Sequence, residues 1–474
     1  MKNKKKTKII CTISDDRCNP EFLKSLYESG MNVVRINSAH NTEDTALKIV
    51  ENVRKVSDKI AILIDTKGPE VRLCPMDPVS GISVKAGDKI KIKNDVKGIC
   101  SNDVLYTNYY HFVNDVPVGA TILIDDGDVA LTVEEKTDDT LHCTIMNNGT
   151  IKGKKSVNIP SVTMTNLPSL TQKDKEFIIW AIKNELDFVA HSFVRSKSDL
   201  DEIYSIINEH NSHLKIISKI ENQEGVDNIL EILKNSYGIM VARGDLGIEI
   251  AAEKIPVIQR EIVKKCRLYR KPVIIATQML HTMIENPRPT RAEVTDVANA
   301  IYQYTDAIML SGETAYGKYP LEAVSTMAKI AYEIESQHMP SLDMEMEKQT
   351  SKISSTLARA MVEASTRIPI KAIVIDSSTG RTGRYVSAFR PNIPVFCTCY
   401  KEHVMRELAL SYGIYSKYST LSQTKDSFVK SSVTALIEKI HLENDEILGI
   451  LAGNFGDRAG ASFIEIASID NLVK

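Results

Sequence analysis

The sequence predicts an α/β protein: a TIM (β/α)8 barrel with a small all-β domain inserted into it and a C-terminal α/β domain after it. Three patterns carry that expectation. Short apolar runs alternate with helical periods through the first 66 residues. A stretch from about 70 to 167 then carries no convincing long helix, and the alternation resumes at Thr171. Strand candidates number three before the break and five after it, the eight that a closed parallel barrel requires.

The elements follow in order. Thr7–Ile13 reads as a strand, Pro20–Ser29 as a helix stopped by Gly30, Met31–Asn37 as the second strand, Glu43–Val56 as a helix, and Ile60–Thr66 as the third strand. Within the insert, β-type runs at Lys89–Ile92, Thr121–Ile124, Ala130–Val133 and Leu141–Ile145 are separated by turn signals such as Asp126-Gly127 and Asn148-Gly149. The later strands are Phe188–Phe193, Lys215–Ile220, Ile239–Ala242, Val273–Ala276 and Ala307–Leu310. The helices around them are Gln172–Asn184, Ser198–Glu209, Gln223–Lys234, Val257–Leu268, Ala292–Ile301 and Leu321–Glu335. Past a charged stretch at Gln337–Thr350, helices Ile353–Thr366, His403–Tyr412 and Thr424–Lys439 mix with strands Ala372–Ile375, Val395–Thr398 and Ile447–Leu451. The expected domains are 1–69 with 168–338, then 70–167, then 339–474.

Composition narrows the function. The 474 residues suit two to four domains, and 43% hydrophobic with 25% charged residues is ordinary for a globular protein. A formal net charge of −2 gives no global field toward nucleic acid or a membrane, and the basic run Lys2–Lys8 reads as a solvated terminus. The eight cysteines form no C-x-x-C pair, which suits reduced thiols in the cytoplasm. No apolar run approaches the ~20 residues of a membrane span. The sequence-based expectation is a cytoplasmic protein.

Barrel active sites collect at the C-terminal ends of the strands. Six of the eight ends are rich in charge and hydroxyls. The second carries Arg35, Asn37 and His40, and the third Asp65, Thr66 and Glu70. The fifth carries Lys219 and Glu221, the sixth Arg243, Gly244 and Asp245, the seventh Thr277, and the eighth Ser311 and Glu313. Strand alternation puts Lys219 and Glu221 on one face, and Arg35 and Asn37 likewise. Two carboxylates, Glu221 and Asp245, beside lysine and arginine suit Mg²⁺, which takes one or two carboxylates plus substrate oxygens. Lys219 adds fixed positive charge for a phosphoryl group in transfer. A Schiff-base role for Lys219 is disfavoured, because the neighbouring carboxylates hold the amine protonated.

These stretches resemble pyruvate kinase. The most specific are Ile217–Asn222, Met240–Gly247, Ala276–Leu280, Pro289–Glu293 and Met309–Thr314, all in order and each beside an expected barrel element. The resemblance implies phosphoryl transfer between phosphoenolpyruvate and ADP, with Mg²⁺ (or Mn²⁺) and K⁺ as cofactors. It implies Glu221 and Asp245 as divalent-ion ligands, Lys219 and Arg35 on the phosphoryl group, and Gly244, Asp245 and Thr277 on the substrate carboxylate. Ser311 would belong to a proton relay, and Asn37, His40, Arg72 and Lys155 would bind the nucleotide. The inserted β domain becomes a lid that excludes water, and a homotetramer is implied. The monovalent-ion ligands would be Asn37, Asp65 and Thr66. Ala39 stands where the family has Ser, while Glu70 accords with K⁺ dependence, so K⁺ is expected with a water in place of the hydroxyl. Asn41, Ser156 and Tyr316 are smaller departures.

In the C-terminal domain, Ser377, Ser378, Thr379, Gly380, Arg381 and Thr382 precede a helical stretch. Hydroxyls and backbone N–H groups at a helix start suit a phosphate, although a capped polar turn explains the same residues. With Arg458 they match the family's effector loops. Fructose 1,6-bisphosphate, another sugar phosphate, AMP or no ligand at all remain open. Because the chain stops soon after this domain, no phosphohistidine-type domain is expected. Trp180, Cys397 and Cys399 read as core, His210 and His213 as surface. Two other functions compete: a metal-enolate barrel lyase or aldolase acting on pyruvate, and a catalytically silent sugar-phosphate sensor. A nucleotide lid with Arg72 and Lys155 weighs against the first, and intact Lys219, Glu221, Asp245 and Thr277 against the second.

Overall fold

The computed structural model describes residues 5–160, 162, 164, 166–337, 340–342, 351–420, 424–453, 455 and 460–473. Eight strands close a parallel barrel in chain order. They are β1 (Lys8–Thr12), β2 (Val33–Asn37), β3 (Ala61–Asp65), β4 (Phe188–His191), β5 (Lys215–Ile220), β6 (Gly238–Ala242), β7 (Val273–Ala276) and β8 (Ala307–Leu310). Side-chain alternation sorts the apolar residues into two layers. Ile10, Val33, Leu63, Phe188, Ile217, Met240, Ile274 and Met309 fill the interior. Their neighbours, such as Ile9, Cys11, Val34 and Ile62, pack outward under the helices.

The helices used below are α1 (Pro20–Ser29), α2 (Glu43–Val56), α3 (Gln172–Lys183), α4 (Lys197–Glu209), α5 (Arg243–Glu249), α6 (Ile255–Leu268), α7 (Arg291–Tyr302) and α8 (Pro320–Ser336). Several start where a threonine hydroxyl takes the free backbone N–H of the first turn. Thr42, Thr171 and Thr290 each form a reciprocal capping box with the residue three positions on. Trp180 packs edge-on against Phe177 in the outer core. The expected helix Gln223–Lys234 is two pieces, Gln223–Asp227 and Ile229–Lys234, which meet at Asn228.

Between β3 and α3 the chain builds a separate core around a six-stranded and a two-stranded sheet. Its hairpin Thr121–Ile124 to Val129–Lys136 turns through Asp125, Asp126 and Gly127, at φ 55°, 56° and 97°. Aspartate and glycine tolerate that left-handed backbone, which is why the turn was visible in the sequence. The single helix described here, Phe112–Asp115, is one turn long.

The C-terminal domain is a five-stranded sheet of β9 (Ile370–Ser377), β10 (Val395–Cys399), β11 (Ile414–Tyr418), β12 (Ile447–Gly453) and β13 (Ala461–Ser468), in the order β11-β10-β9-β12-β13. Only β13 is antiparallel. Its helices are α9 (Lys352–Arg367), α10 (Arg381–Ala388) and α11 (Lys425–Ile440). The sequence reading missed β11 and β13. Both are edge strands with few fully buried positions, so neither shows a continuous apolar run. The expected helix His403–Tyr412 is a short helix, Glu402–Glu407, followed by a 3-10 turn, Leu408–Leu410. That turn docks on the barrel, with Ala409 and Leu410 joining the interior layer. Beside it, Arg390 grips Asp306 at 3.0 and 2.7 Å and Arg406 holds Asp187 at 2.6 Å.

Candidate active site

Lys219 is the centre of the site. Near the end of β5 its Nζ lies 2.9 Å from Glu221 Oε1, 3.1 Å from Asp65 Oδ1 and 2.8 Å from Ser192 Oγ. Asp65, at the end of β3, also accepts from Arg35 Nε at 2.6 Å, and Arg35 reaches Thr12 Oγ1 at 3.0 Å. Both carboxylates are almost fully buried. Burial works against the charge on Lys219, but Asp65 and Glu221 outweigh it and hold the ammonium above its ordinary value. Burial would likewise raise Asp65, yet Arg35 and Lys219 keep it below the usual carboxylate range. Burial pushes Glu221 up to about 7, with Lys219 opposing and the charge of Asp245 adding to the rise. A Schiff-base role for Lys219 thus meets the obstacle expected from the sequence.

One oxygen of Glu221 accepts from the Phe193 backbone N–H at 2.7 Å. The other touches only the Lys219 ammonium, as an ion contact without hydrogen-bond geometry. A buried carboxylate oxygen with spare lone pairs, sharing a field with Asp245, fits a divalent cation. Among the described residues no cluster of three or more His, Cys, Asp or Glu side chains could hold a metal. Mg²⁺ needs none, because substrate and water oxygens complete its shell.

Around this centre, Asp245 and Gly244 open α5 directly after β6. The Gly244 N–H donates to Thr277 Oγ1 at 2.8 Å, and Thr277 is held at φ 70°. Arg243 braces that loop: it pairs with Asp296 of α7 at 2.7 Å and donates to the Thr277 carbonyl at 2.7 Å. Ser311 caps β8, and its N–H is fixed by Glu313 at 2.8 Å. Asn37 Oδ1 accepts from the Ala39 N–H at 3.1 Å, and His40 is exposed. Thr66 Oγ1 receives the Ser192 N–H at 3.1 Å, close to Asp65. The Ser38 hydroxyl, one residue before Ala39, is buried without a hydrogen-bond partner.

Arg72 and Lys155 lie on the inserted domain, on neighbouring segments joined by an Arg72–Ser156 bridge. Arg72 pairs with Glu70 at 2.7 Å and Lys155 with Asp125 at 2.8 Å, both on partly exposed side chains. The structure thus brings Lys219, Glu221, Asp65 and Arg35 into contact, and Gly244 with Thr277, while Arg72 and Lys155 stand apart. The sequence reading passed over the first and fourth strand ends. Those ends supply Thr12 and Ser192, uncharged hydroxyls whose only signal was their place in the barrel.

In the C-terminal domain, Gly380 adopts φ 71° as the residue before α10, and a side chain there would collide with Arg384. Ser377 and Thr382 are buried, Ser378 and Arg381 half-buried, and Thr379 exposed. Arg458 lies outside the described residues.

The barrel with its insert, residues 4–324, matches the family model "Pyruvate kinase, barrel domain", and residues 355–467 match "Pyruvate kinase, alpha/beta domain". The chain belongs to the pyruvate kinase family. It is 48% identical over 476 residues to the pyruvate kinase of Borreliella burgdorferi, covering 99% of this chain and 98% of that one. It is 40% identical over 478 residues to that of Bacillus licheniformis, covering 99% and 81%. A crystal structure of a pyruvate kinase from Cryptosporidium parvum superposes with a TM-score of 0.93 at 34% identity, covering 98% of this chain and 96% of that one. The chain is therefore a phosphotransferase of the pyruvate kinase family, which decides among the three readings of the sequence. No helix of the described residues is long and apolar enough to cross a membrane.

Proposed function

We propose that the site moves the phosphoryl group of phosphoenolpyruvate to ADP, giving pyruvate and ATP, with Mg²⁺ (or Mn²⁺) and K⁺. The observation that carries the reading is the buried Lys219, kept charged between Asp65 and Glu221. Lys219 and Arg35 present fixed positive charge to the phosphoryl group and to the enolate oxygen it leaves. Their partners already orient them, so little reorganisation accompanies transfer. Thr277 and the Gly244 and Asp245 N–H groups at the start of α5 bind the substrate carboxylate. Ser311 passes a proton toward the enolate carbon. Glu221 and Asp245 hold the divalent ion, which neutralises phosphoryl charge when bound.

Asn37, His40, Arg72 and Lys155 receive the nucleotide, the last two carried by the inserted domain acting as a lid. Lid closure excludes water, which would otherwise compete with ADP. Asn37, Asp65 and Thr66 hold K⁺, with a water or the unpartnered Ser38 hydroxyl supplying the oxygen that Ala39 lacks. The loop Ser377–Thr382, with Arg458, takes a sugar-phosphate or nucleotide effector, and the assembly is a homotetramer. A cytoplasmic location is supported by eight free, buried cysteines.

Pyruvate formation from phosphoenolpyruvate and ADP, followed through lactate dehydrogenase, tests this. Activity requires Mg²⁺ and falls when K⁺ is replaced by tetramethylammonium. Equal rates in both salts would remove the K⁺ site and leave the kinase. No pyruvate in either, with sugar phosphates added, would remove the reaction.

A further inference from the structure

Two linkers join the inserted domain to the barrel, and both rest on the turn that follows β4, Ser192–Ser196. The outgoing linker continues from β3. Its Thr66 N–H donates to the Ala190 carbonyl at 3.0 Å, the Ser192 hydroxyl donates to the Thr66 carbonyl at 2.6 Å, and the Lys67 N–H donates to Asp174 at 2.9 Å. Gly68, at φ 73°, crosses the turn so closely that a Cβ would lie 2.8 Å from Ser192 Cβ and 2.9 Å from Phe193 Cδ2. The returning linker, ahead of α3, is held by Arg195. That side chain donates through Nη1 to the Met164 carbonyl at 3.1 Å and through Nη2 to the Leu167 carbonyl at 3.0 Å.

Arg195 is itself fixed. Its side chain is 17% exposed, and its guanidinium meets Asp199, in the first turn of α4, at 2.9 and 3.3 Å. Asn228, after β5, donates to the Arg195 carbonyl at 2.9 Å. A helix-bracing i,i+4 ion pair would need the Asp199 contact alone. The rest of the fork is aimed at linker carbonyls, with a planar donor geometry that an ammonium lacks. The same turn also serves the chemistry. The Phe193 N–H donates to Glu221 at 2.7 Å, and Ser192 Oγ accepts from Lys219 at 2.8 Å. Phe193 does this at φ 55°, a left-handed backbone that a bulky residue adopts only where its surroundings hold it.

We propose that Arg195 is a positioning residue for the phosphoryl transfer. It seats the linker returning from the inserted domain on the turn that orients Glu221 and Lys219, so the seat of the lid and the divalent-ion ligand are set together. The inference rests on the reading of the inserted domain as a nucleotide-carrying lid. Arg195 touches neither Lys219 nor Glu221; it acts through the Ser192–Phe193 backbone on one side and the Met164–Leu167 backbone on the other.

The test uses the full chain in the coupled assay. Arg195→Met raises the KM for ADP about tenfold or more, the scale of a lost charge-assisted contact, and raises half-saturating Mg²⁺ in the same direction. The KM for phosphoenolpyruvate at saturating Mg²⁺ changes little, because Arg35, Thr277 and Gly244 stand at other strand ends. Arg195→Lys keeps the charge without the fork and falls between the two. Hydrogen exchange read by mass spectrometry follows the linker directly: Mg²⁺ with ADP slows exchange across residues 166–171 in wild type, and Arg195→Met loses that protection. A lower melting temperature with wild-type KM for ADP and wild-type Mg²⁺ dependence would make Arg195 a brace of α4 and overturn the proposal. Wild-type exchange that ignores Mg²⁺ and ADP would overturn the lid reading, and this proposal with it. Should Arg195→Met fail to fold, Asp199→Asn, which loosens the guanidinium and leaves it charged, reads the same constants.

Discussion

Replacing Lys219 with Met separates chemistry from folding. In the native site the ammonium is within 2.9 and 3.1 Å of two carboxylates, Glu221 and Asp65, whose side chains are each 1% exposed. Losing one partner of a buried ion pair typically costs ~3–5 kcal/mol, because a charge is stranded. The geometry reduces that figure here. Asp65 keeps Arg35 at 2.6 Å, and Glu221, already pushed up to about 7, can take a proton instead. The expected loss of stability is therefore nearer ~2 kcal/mol, and the chain still folds. Turnover should fall by a factor of about 10³ or more, since the charge acts where the transition state carries most of its own. Mg²⁺ should raise the melting temperature of the variant more than that of wild type, because it restores positive charge between carboxylates that Lys219 no longer neutralises. Melting curves with and without Mg²⁺, beside the coupled assay, read all three effects. A Lys219→Met enzyme that keeps more than about a tenth of wild-type turnover would refute the catalytic assignment. An unchanged Mg²⁺ response would refute the electrostatic one.

Three further outcomes follow from the same contacts. Arg390→Leu strands the buried Asp306 and should cost about 3–5 kcal/mol, while adding Asp306→Asn should recover part of it; a double-mutant cycle in melting with no coupling would contradict the pairing. Arg243→Ala should lower kcat/KM by about 10- to 100-fold with little loss of stability, because it frees the loop that sets Thr277 against Gly244; wild-type kinetics would show that Arg243 positions nothing. Burial raises Asp376 from 3.8 to about 6, with bonds from the Gly453 N–H and the Tyr400 hydroxyl opposing. A raised carboxyl favours the folded state while protonated, so its contribution is lost as pH rises toward 6 and stays lost above. Asp376→Asn should therefore gain on wild type by about 2 kcal/mol at pH 7.5 and by almost nothing near pH 4. An offset that does not change with pH would overturn that reading.

The barrel was legible because most of its strands are short apolar runs that end at a polar residue, a pattern that burial on both faces imposes. The charged half of the site was legible for the same reason: Lys219, Glu221 and Asp65 are conspicuous where a strand should stay apolar. Thr12 and Ser192 were not conspicuous, since a hydroxyl at a strand end is unremarkable until Arg35 or Lys219 is seen to reach it. Edge strands β11 and β13 escaped because their identity lies in what they pair with. Domain docking escaped altogether, since Asp187–Arg406 and Asp306–Arg390 join residues far apart in the chain.

That docking shows a regularity the sequence could not. Asp187 immediately precedes β4 and Asp306 immediately precedes β8, and five residues further along those same strands stand Ser192 and Ser311. Ser192 touches Lys219, and Ser311 caps the strand facing the proposed proton path. The C-terminal domain therefore grips two strands by their N-terminal ends while the opposite ends carry site hydroxyls. Continuity along a strand is a path that coupling could take, and it needs a coupling measurement to show it. Arg390→Leu, through β8, and Arg406→Leu, through β4, should each change kcat if the grip is felt at the site; wild-type kcat in both would show that the grip serves stability alone.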